Sequence, residues 1–268
     1  MKLKTPVVKL KTIIETTQAK SDFGPLKFRI RPNTTDSKVI DEVINRNTYR
    51  KPKIGFLIKP GQTWLDLGGN IGTFAVLALV LGADKVICYE PEIDNFNLLK
   101  TNLDLNSKII EDNFIFSEAK NLNKLPGCRY VVYNQAVGTT VGQQELYLCQ
   151  GTYNKYRHSL IKRRGRKTVP VEVITLSQVR AIHPEINAIK IDIEGAEIAI
   201  LEAYDDWTGI DQLVFEYSFD VDSSIPRFMA IIHKLEKAFP IVHYLKVNPD
   251  ELHYKHFPAA TMVYCLKK

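Results

Sequence analysis

Closely spaced cysteines are missing from this sequence. Cys88, Cys128, Cys149 and Cys265 lie far apart, without the close pairs that a zinc site or a redox motif requires. Two of them sit inside apolar stretches and are expected to be buried thiols. Long apolar runs are lacking too. The longest, Phe74 to Leu81, falls far short of the roughly 20 residues of a membrane-spanning helix, so no span is expected. The lysines that begin the chain are followed by neither an apolar h-region nor a small-residue cleavage site; the expected compartment is the cytoplasm. No internal repeat is visible. With 45% apolar residues in 268, a disordered or collagen-like chain is excluded, and the length predicts one large domain or one domain with an N-terminal extension.

The net charge is +6, from 36 Lys and Arg against 30 Asp and Glu. Its source is local: Lys155, Arg157, Lys162, Arg163, Arg164, Arg166 and Lys167 form a stretch of seven cations with no acid, without which the chain would carry −1. Such a stretch, with Tyr153 and Tyr156 nearby, suits an anionic partner, bound in a strongly salt-dependent way. It also suits a solvated loop that serves only solubility. No recognisable RNA- or DNA-reading module accompanies it.

From Thr63 onward, short apolar runs alternate with segments of helical period, the pattern of βαβ units around a mostly parallel sheet. Seven strands are predicted at Trp64–Leu67, Lys85–Tyr89, Tyr130–Tyr133, Ala188–Ile193, Leu213–Tyr217, Ile241–Lys246 and Thr261–Leu266. Helices are predicted at Gly72–Leu81, Ile93–Asn106, about Ala196–Tyr204 and Ile225–Phe239. Glu145–Cys149 and Thr168–Ile174 read as a hairpin-like pair connected by the basic stretch. Residues 1–60 fit this scheme poorly; Phe28, Ile30 and the stripe Val39, Val43, Ile44 predict a small strand-plus-helix extension.

The segment Asp66-Leu67-Gly68-Gly69-Asn70-Ile71-Gly72 joins a buried strand to a helix, where glycines allow positive φ and a close approach of backbone N–H groups to a ligand. Glu90 follows at the end of the second strand, placed to accept hydrogen bonds from both hydroxyls of a ribose. Together they indicate a nucleoside. Asp66 bears on which one: a carboxylate beside the turn repels a pyrophosphate, whereas the ammonium and sulfonium of S-adenosylmethionine suit it. Asp66 can also simply cap the turn.

The residues from Trp64 to Tyr89, the pair Glu90-Pro91 and the run Ile189-Lys190-Ile191-Asp192-Ile193-Glu194-Gly195-Ala196-Glu197 together resemble the FkbM-type family of S-adenosylmethionine-dependent methyltransferases. The similarity runs from about Gly61 to Tyr217 and includes Gln135-Ala136-Val137-Gly138 and Val173-Ile174-Thr175-Leu176. It implies an α/β, Rossmann-like class I methyltransferase fold, with a seven-stranded sheet whose last strand is antiparallel and helices on both faces. On this reading residues 1–60 are an N-terminal extension and 61–268 the methyltransferase domain. Asn70 stands where the wider superfamily has a glycine, a variant found within the FkbM-type group. The resemblance also implies transfer most often to an oxygen.

The expected cofactor residues are Asp66, Gly68, Gly69, Asn70, Gly72 and Glu90, with Gln135 placed to meet the adenine edge and Asn134 equally near. The expected reaction face is Asp192, Glu194 and Glu216, beyond the carboxyl ends of the fourth and fifth strands. Asp192 or Glu194 serves as base for a hydroxyl acceptor, while Glu197 reads as a solvated acid in the first turn of a helix. Three acids around a cleft require a positive partner: the sulfonium, a protein cation, or a divalent metal with oxygen ligands. His158 and Ser159 are placed to reach over the cleft as a lid, and His158, Lys162, Arg163 and Arg164 are the candidates for gripping an anionic acceptor. His183, His233, His243, His253 and His256 show no metal-ligand spacing. The leading expectation is methylation of a small-molecule, sugar or glycan hydroxyl. The alternatives are an RNA or protein methyltransferase docking its substrate through residues 155–167, and a non-catalytic nucleoside- or nucleic-acid-binding module.

Overall fold

A computed structural model describes residues 15–21, 24–118, 129–149, 158–162, 165–219, 221–244 and 260–267. Its centre is a seven-stranded sheet, and the reason is visible in β3 (Thr63–Leu67), where every residue is buried. A strand hidden on both faces needs layers packed on either side, the usual setting of a parallel sheet. Those neighbours are β4 (Lys85–Tyr89) and β9 (Ala188–Ile191), each parallel to β3. Beyond β4 lies β5 (Tyr130–Tyr133), and beyond β9 lies β10 (Gln212–Ser218), also parallel. The last strand, β12 (Ala260–Leu266), inserts antiparallel between β10 and the edge strand β11 (Ile241–Tyr244). The order is β11-β12-β10-β9-β3-β4-β5. All seven expected strands are present, as is the antiparallel last one. The fourth is shorter than expected: β9 ends at Ile191, not Ile193.

Strand alternation divides the core in two. Trp64, Val86, Cys88 and Ala188 face α2 (Thr73–Val80) and α3 (Ile93–Leu105), whereas Leu65, Leu67, Ile189 and Ile191 face α5 (Leu176–Ile182), α6 (Glu197–Ala203) and α7 (Ile225–Glu236). The helices start where local chemistry allows. Glu92 caps α3 by accepting from Asn95 N–H, Thr175 and Gln178 form a capping box on α5, and Ser224 caps α7. After α3 the chain continues into α4 (Ser107–Glu118). The expected hairpin-like pair is β7 (Gly142–Tyr147) against β8 (Thr168–Thr175), to which β6 (Ala136–Gly138) adds a third, parallel strand.

The N-terminal residues are tied into this frame. β1 (Glu15–Ser21) and β2 (Gly24–Ile30) form a hairpin, followed by α1 (Asp36–Ile40), which runs into a π-helical turn at Asp41–Asn45. Leu26, Phe28, Val43 and Tyr49 belong to the same core as Trp64 and Leu99. The outer edge of β2 is met by asparagines of α3 and its end. Asn106 bonds Lys27 N–H and C=O (3.0 and 2.7 Å), and Asn102 bonds Arg29 N–H and C=O (2.6 and 3.2 Å). Arg31, buried, pairs with Asp36 at 2.8 Å and donates to Asn95 at 2.8 Å. Asparagine is a poor helix former because it competes for backbone hydrogen bonds; here it supplies the partners that another strand would have given.

Candidate active site

A cavity of about 400 Å³ opens beyond the carboxyl ends of β3, β4, β9 and β10, the position where open α/β sheets bind ligands. Gly68, Gly69, Asn70 and Glu90 line one side, and Asp192, Glu194 and Glu216 another. The loops after β3 and β9 are in contact, since Gly68 adopts φ +80° and a Cβ there would collide with the Asp192 carbonyl. Asn70 takes a positive φ of 50° without being glycine, which asparagine tolerates better than most residues.

The turn does not offer its N–H groups to a ligand as expected. Gly68 and Gly69 N–H both donate to Tyr89 C=O (3.0 and 3.1 Å), Asn70 N–H to Glu90 Oε2 (2.8 Å), Ile71 N–H to the Asn70 side chain (2.7 Å) and Gly72 N–H to Gly69 C=O (2.8 Å). All five are engaged within the protein. Glu90 also accepts from Glu92 N–H at 2.9 Å. Burial nonetheless pushes its carboxyl up to about 7, against the pull of these N–H groups.

Asp66 requires a correction. It has no exposed surface and does not line the cavity; Lys190, its cross-strand neighbour, meets its carboxylate at 2.9 Å. The cation that Asp66 faces is therefore part of the chain itself. Gln135 does not line the cavity either, and Asn134 donates to Glu90 and Pro91 C=O, both at 3.0 Å, which holds the loop after β4.

On the reaction side, the early end of β9 removes the alternation that was to place Asp192 and Glu194 on one face. Glu194 sits at φ +57°, and Gly195 at φ +108° lies so close to Val221 that a Cβ would be 2.7 Å from it. Asp192 reaches the cavity from the loop and accepts from the Tyr49 hydroxyl at 2.6 Å. Burial first, then the Asp192 charge, raises the Tyr49 phenol well above its ordinary value, so it stays a donor. Glu197 is not solvated. It is fully buried, accepts from Gly195 N–H at 2.7 Å, and is pushed up to about 7 by desolvation.

His158 and Ser159 do line the cavity. His158 Nδ1 accepts from Cys149 N–H at 3.0 Å, and Ser159 Oγ donates to Glu194 C=O at 2.7 Å. Lys162 is exposed and off the cavity wall, while Arg163 and Arg164, with Lys155 and Arg157, lie outside the described residues. Among the described residues, no group of three or more His, Cys, Asp or Glu side chains is arranged to hold a metal ion, and no helix is long and apolar enough to cross a membrane.

The sequence profile of the methyltransferase FkbM domain matches residues 66–238. The chain belongs to the FkbM methyltransferase family. The matched span, 66–238, is a methyltransferase domain by family. No curated protein matches the sequence. Solved structures that resemble the chain include the FkbM methyltransferase of Methylobacillus flagellatus KT, 15% identical, with 81% of this chain and 47% of that one covered and a TM-score of 0.49. Others are a SAM-dependent O-methyltransferase of Thermotoga maritima (13%; 94% and 77%; 0.41) and a SAM-dependent methyltransferase of Agrobacterium tumefaciens (9%; 97% and 72%; 0.49). The chain spans about half the length of the Methylobacillus protein.

Two residues with no expected role, one inside the FkbM domain and one before it, line the same cavity. Lys190 lines the cavity floor, and Tyr49 closes its wall together with Val39, Val43 and Arg46 from the N-terminal segment. Lys190 had a readable signal, since one cation between Ile189 and Ile191 in a buried strand must be paired. Tyr49 had none, because its partner is distant in sequence.

Proposed function

We propose that this FkbM-family chain methylates a hydroxyl oxygen of a sugar, glycan or other small polyhydroxylated molecule. The observation that carries the reading is the hydrogen-bond inventory of the glycine turn. With all five N–H groups from Gly68 to Gly72 engaged internally, the turn has none left for a pyrophosphate. Glu90, Asp192, Glu194 and Glu216 on the walls would repel one further. The same donor set fits S-adenosylmethionine: a carboxylate for the ribose diol, acids for a cationic centre, and a volume within the usual range for such ligands. When bound, that cofactor supplies an electrophilic methyl group on a positively charged sulfur and leaves as S-adenosylhomocysteine.

The chain's own residues then have distinct tasks. Glu90 orients the nucleoside through its ribose hydroxyls. Asp192, oriented by Tyr49, would take the proton of the acceptor hydroxyl and so leave its oxygen able to receive the methyl group. Glu194 and Glu216 accept hydrogen bonds from further hydroxyls, which favours a polyhydroxylated acceptor. The test is transfer of labelled methyl from S-adenosylmethionine to sugar nucleotides, methyl glycosides and oligosaccharides, run beside total RNA and a protein pool. A methyl ether in the product supports the reading. Label confined to RNA or protein, or to a nitrogen, overturns it.

A further inference from the structure

Lys190 is the one cation of β9 and is buried in the middle of the sheet. Its ammonium lies 2.9 Å from Asp66 Oδ1, donates to Gly68 C=O at 2.7 Å and reaches Leu67 C=O at 3.4 Å. The rings of Tyr49 and Phe74 stand 5.4 and 6.0 Å from it, within cation–π range. Burial works against the charge, but Asp66 and Asp192 more than offset it and hold the ammonium above its ordinary value. A bare ion pair would need only the contact to Asp66; the bond to Gly68 does something else.

A trans peptide unit is planar, with its C=O and N–H on opposite sides. The unit between Gly68 and Gly69 is gripped at both ends: Lys190 holds the C=O from β9, and Tyr89 C=O accepts the N–H at 3.1 Å from β4. This plane sets the path of the turn toward Asn70, whose N–H reaches Glu90. We propose that Lys190 is a positioning residue for the cofactor: it clamps the Gly68–Gly69 peptide and so holds the turn and Glu90 in the arrangement that admits the nucleoside. The role of Asp66 is to neutralise this clamp. The floor of the cavity then carries no net charge, and the negative charge met by a sulfonium belongs to the acids of the walls. The inference rests on the S-adenosylmethionine reading above.

The test uses S-adenosylhomocysteine and isothermal calorimetry on the full chain. Lys190→Met alone leaves Asp66 buried without a partner, so the informative variant is Asp66→Asn with Lys190→Met, which removes both charges at similar volume; such replacements are often neutral for stability. The clamp predicts that this double variant melts close to the wild-type protein yet binds S-adenosylhomocysteine at least about ten-fold more weakly than the wild type, a loss of the size expected for a charge-assisted hydrogen bond. Equal affinity of the wild-type protein and the folded double variant would overturn it. Should the double variant not fold, the wild-type protein decides: the buried Lys190 ammonium resonance, followed by nitrogen-15 NMR, shifts when S-adenosylhomocysteine binds if the clamp touches the cofactor turn. An unmoved resonance in a protein that binds the ligand overturns the clamp. A wild-type protein that binds no S-adenosylhomocysteine overturns the cofactor reading, and the clamp falls with it.

Discussion

The hydroxyl of Tyr49 donates to Asp192 Oδ2 across 2.6 Å, although the two residues are 143 positions apart. One belongs to the segment before the central sheet and the other to the loop after its fourth parallel strand. The bond makes the N-terminal segment part of the cavity wall, because a carboxylate that lines the cavity is aimed by a residue from outside the family-matched span.

Tyr49→Phe keeps the ring against Phe74, which it meets edge-on at 5.3 Å, and removes only the donor. A hydrogen bond to a charged group is worth about 1.5–3 kcal/mol, and roughly 1.4 kcal/mol is ten-fold in rate. Turnover of the identified acceptor is expected to fall about ten-fold or more, with S-adenosylhomocysteine affinity within about two-fold in calorimetry. An equal loss in both would show a general loosening of the site.

Two buried acids, Glu90 and Glu197, are each pushed up to about 7 from an ordinary value of 4.5. Between those limits the folded chain keeps protons that the unfolded chain has released, so stability falls as pH rises through this window and levels off above it. Each contributes on the order of 3 kcal/mol to the fall. Urea unfolding of the ligand-free protein at pH 5 and pH 8 measures it. Glu197→Gln should remove about half of the difference; a fall of unchanged size would exonerate Glu197.

Ligand binding should act on Glu90 in the opposite sense. Ribose hydroxyls bond best to the ionised carboxylate, so a bound nucleoside lowers its pKa and expels a proton. Near pH 7, where Glu90 is half protonated, binding of S-adenosylhomocysteine should release roughly half a proton. Calorimetry in two buffers of different ionisation enthalpy reads this directly. Glu90→Gln should abolish the release and weaken binding; release that persists in the variant must come from another group.

Asn102→Ala removes the bonds to Arg29 N–H and C=O and a third, 2.8 Å long, to Ile71 C=O. These backbone groups lose their partners in a buried setting, so a loss of about 2–4 kcal/mol is expected from urea denaturation. A change below about 0.5 kcal/mol would mean that water replaces the amide without cost.

The legible parts of the fold were those in which local pattern and burial agree. Trp64–Leu67 and Lys85–Tyr89 are apolar runs between turn signals, and both are strands of the sheet. Glu90 and the glycine turn lie together as their spacing implies. The misreadings share one cause, a side chain whose surroundings come from elsewhere in the chain. Asp66 looked like a ligand-facing acid because Lys190 is its neighbour only across the sheet. Glu197 looked solvated because nothing near it in sequence shows that it is fully buried. The N-terminal segment was opaque for the same reason: its hairpin edge is completed by Asn102 and Asn106 of another element. A helix carrying asparagines at 95 and 102 and ending on a third at 106 was the available hint, since that residue is seldom kept inside helices without a task.

The placement of β12 sets an order of events during synthesis. It slots between β10 and β11, both translated before it, and its Tyr264 hydroxyl bonds Thr48 C=O at 2.5 Å, beside Tyr49. A ribosome-bound chain can pair β3 with β4 early, whereas the cavity wall carrying Tyr49 gains this brace only after β12 has emerged.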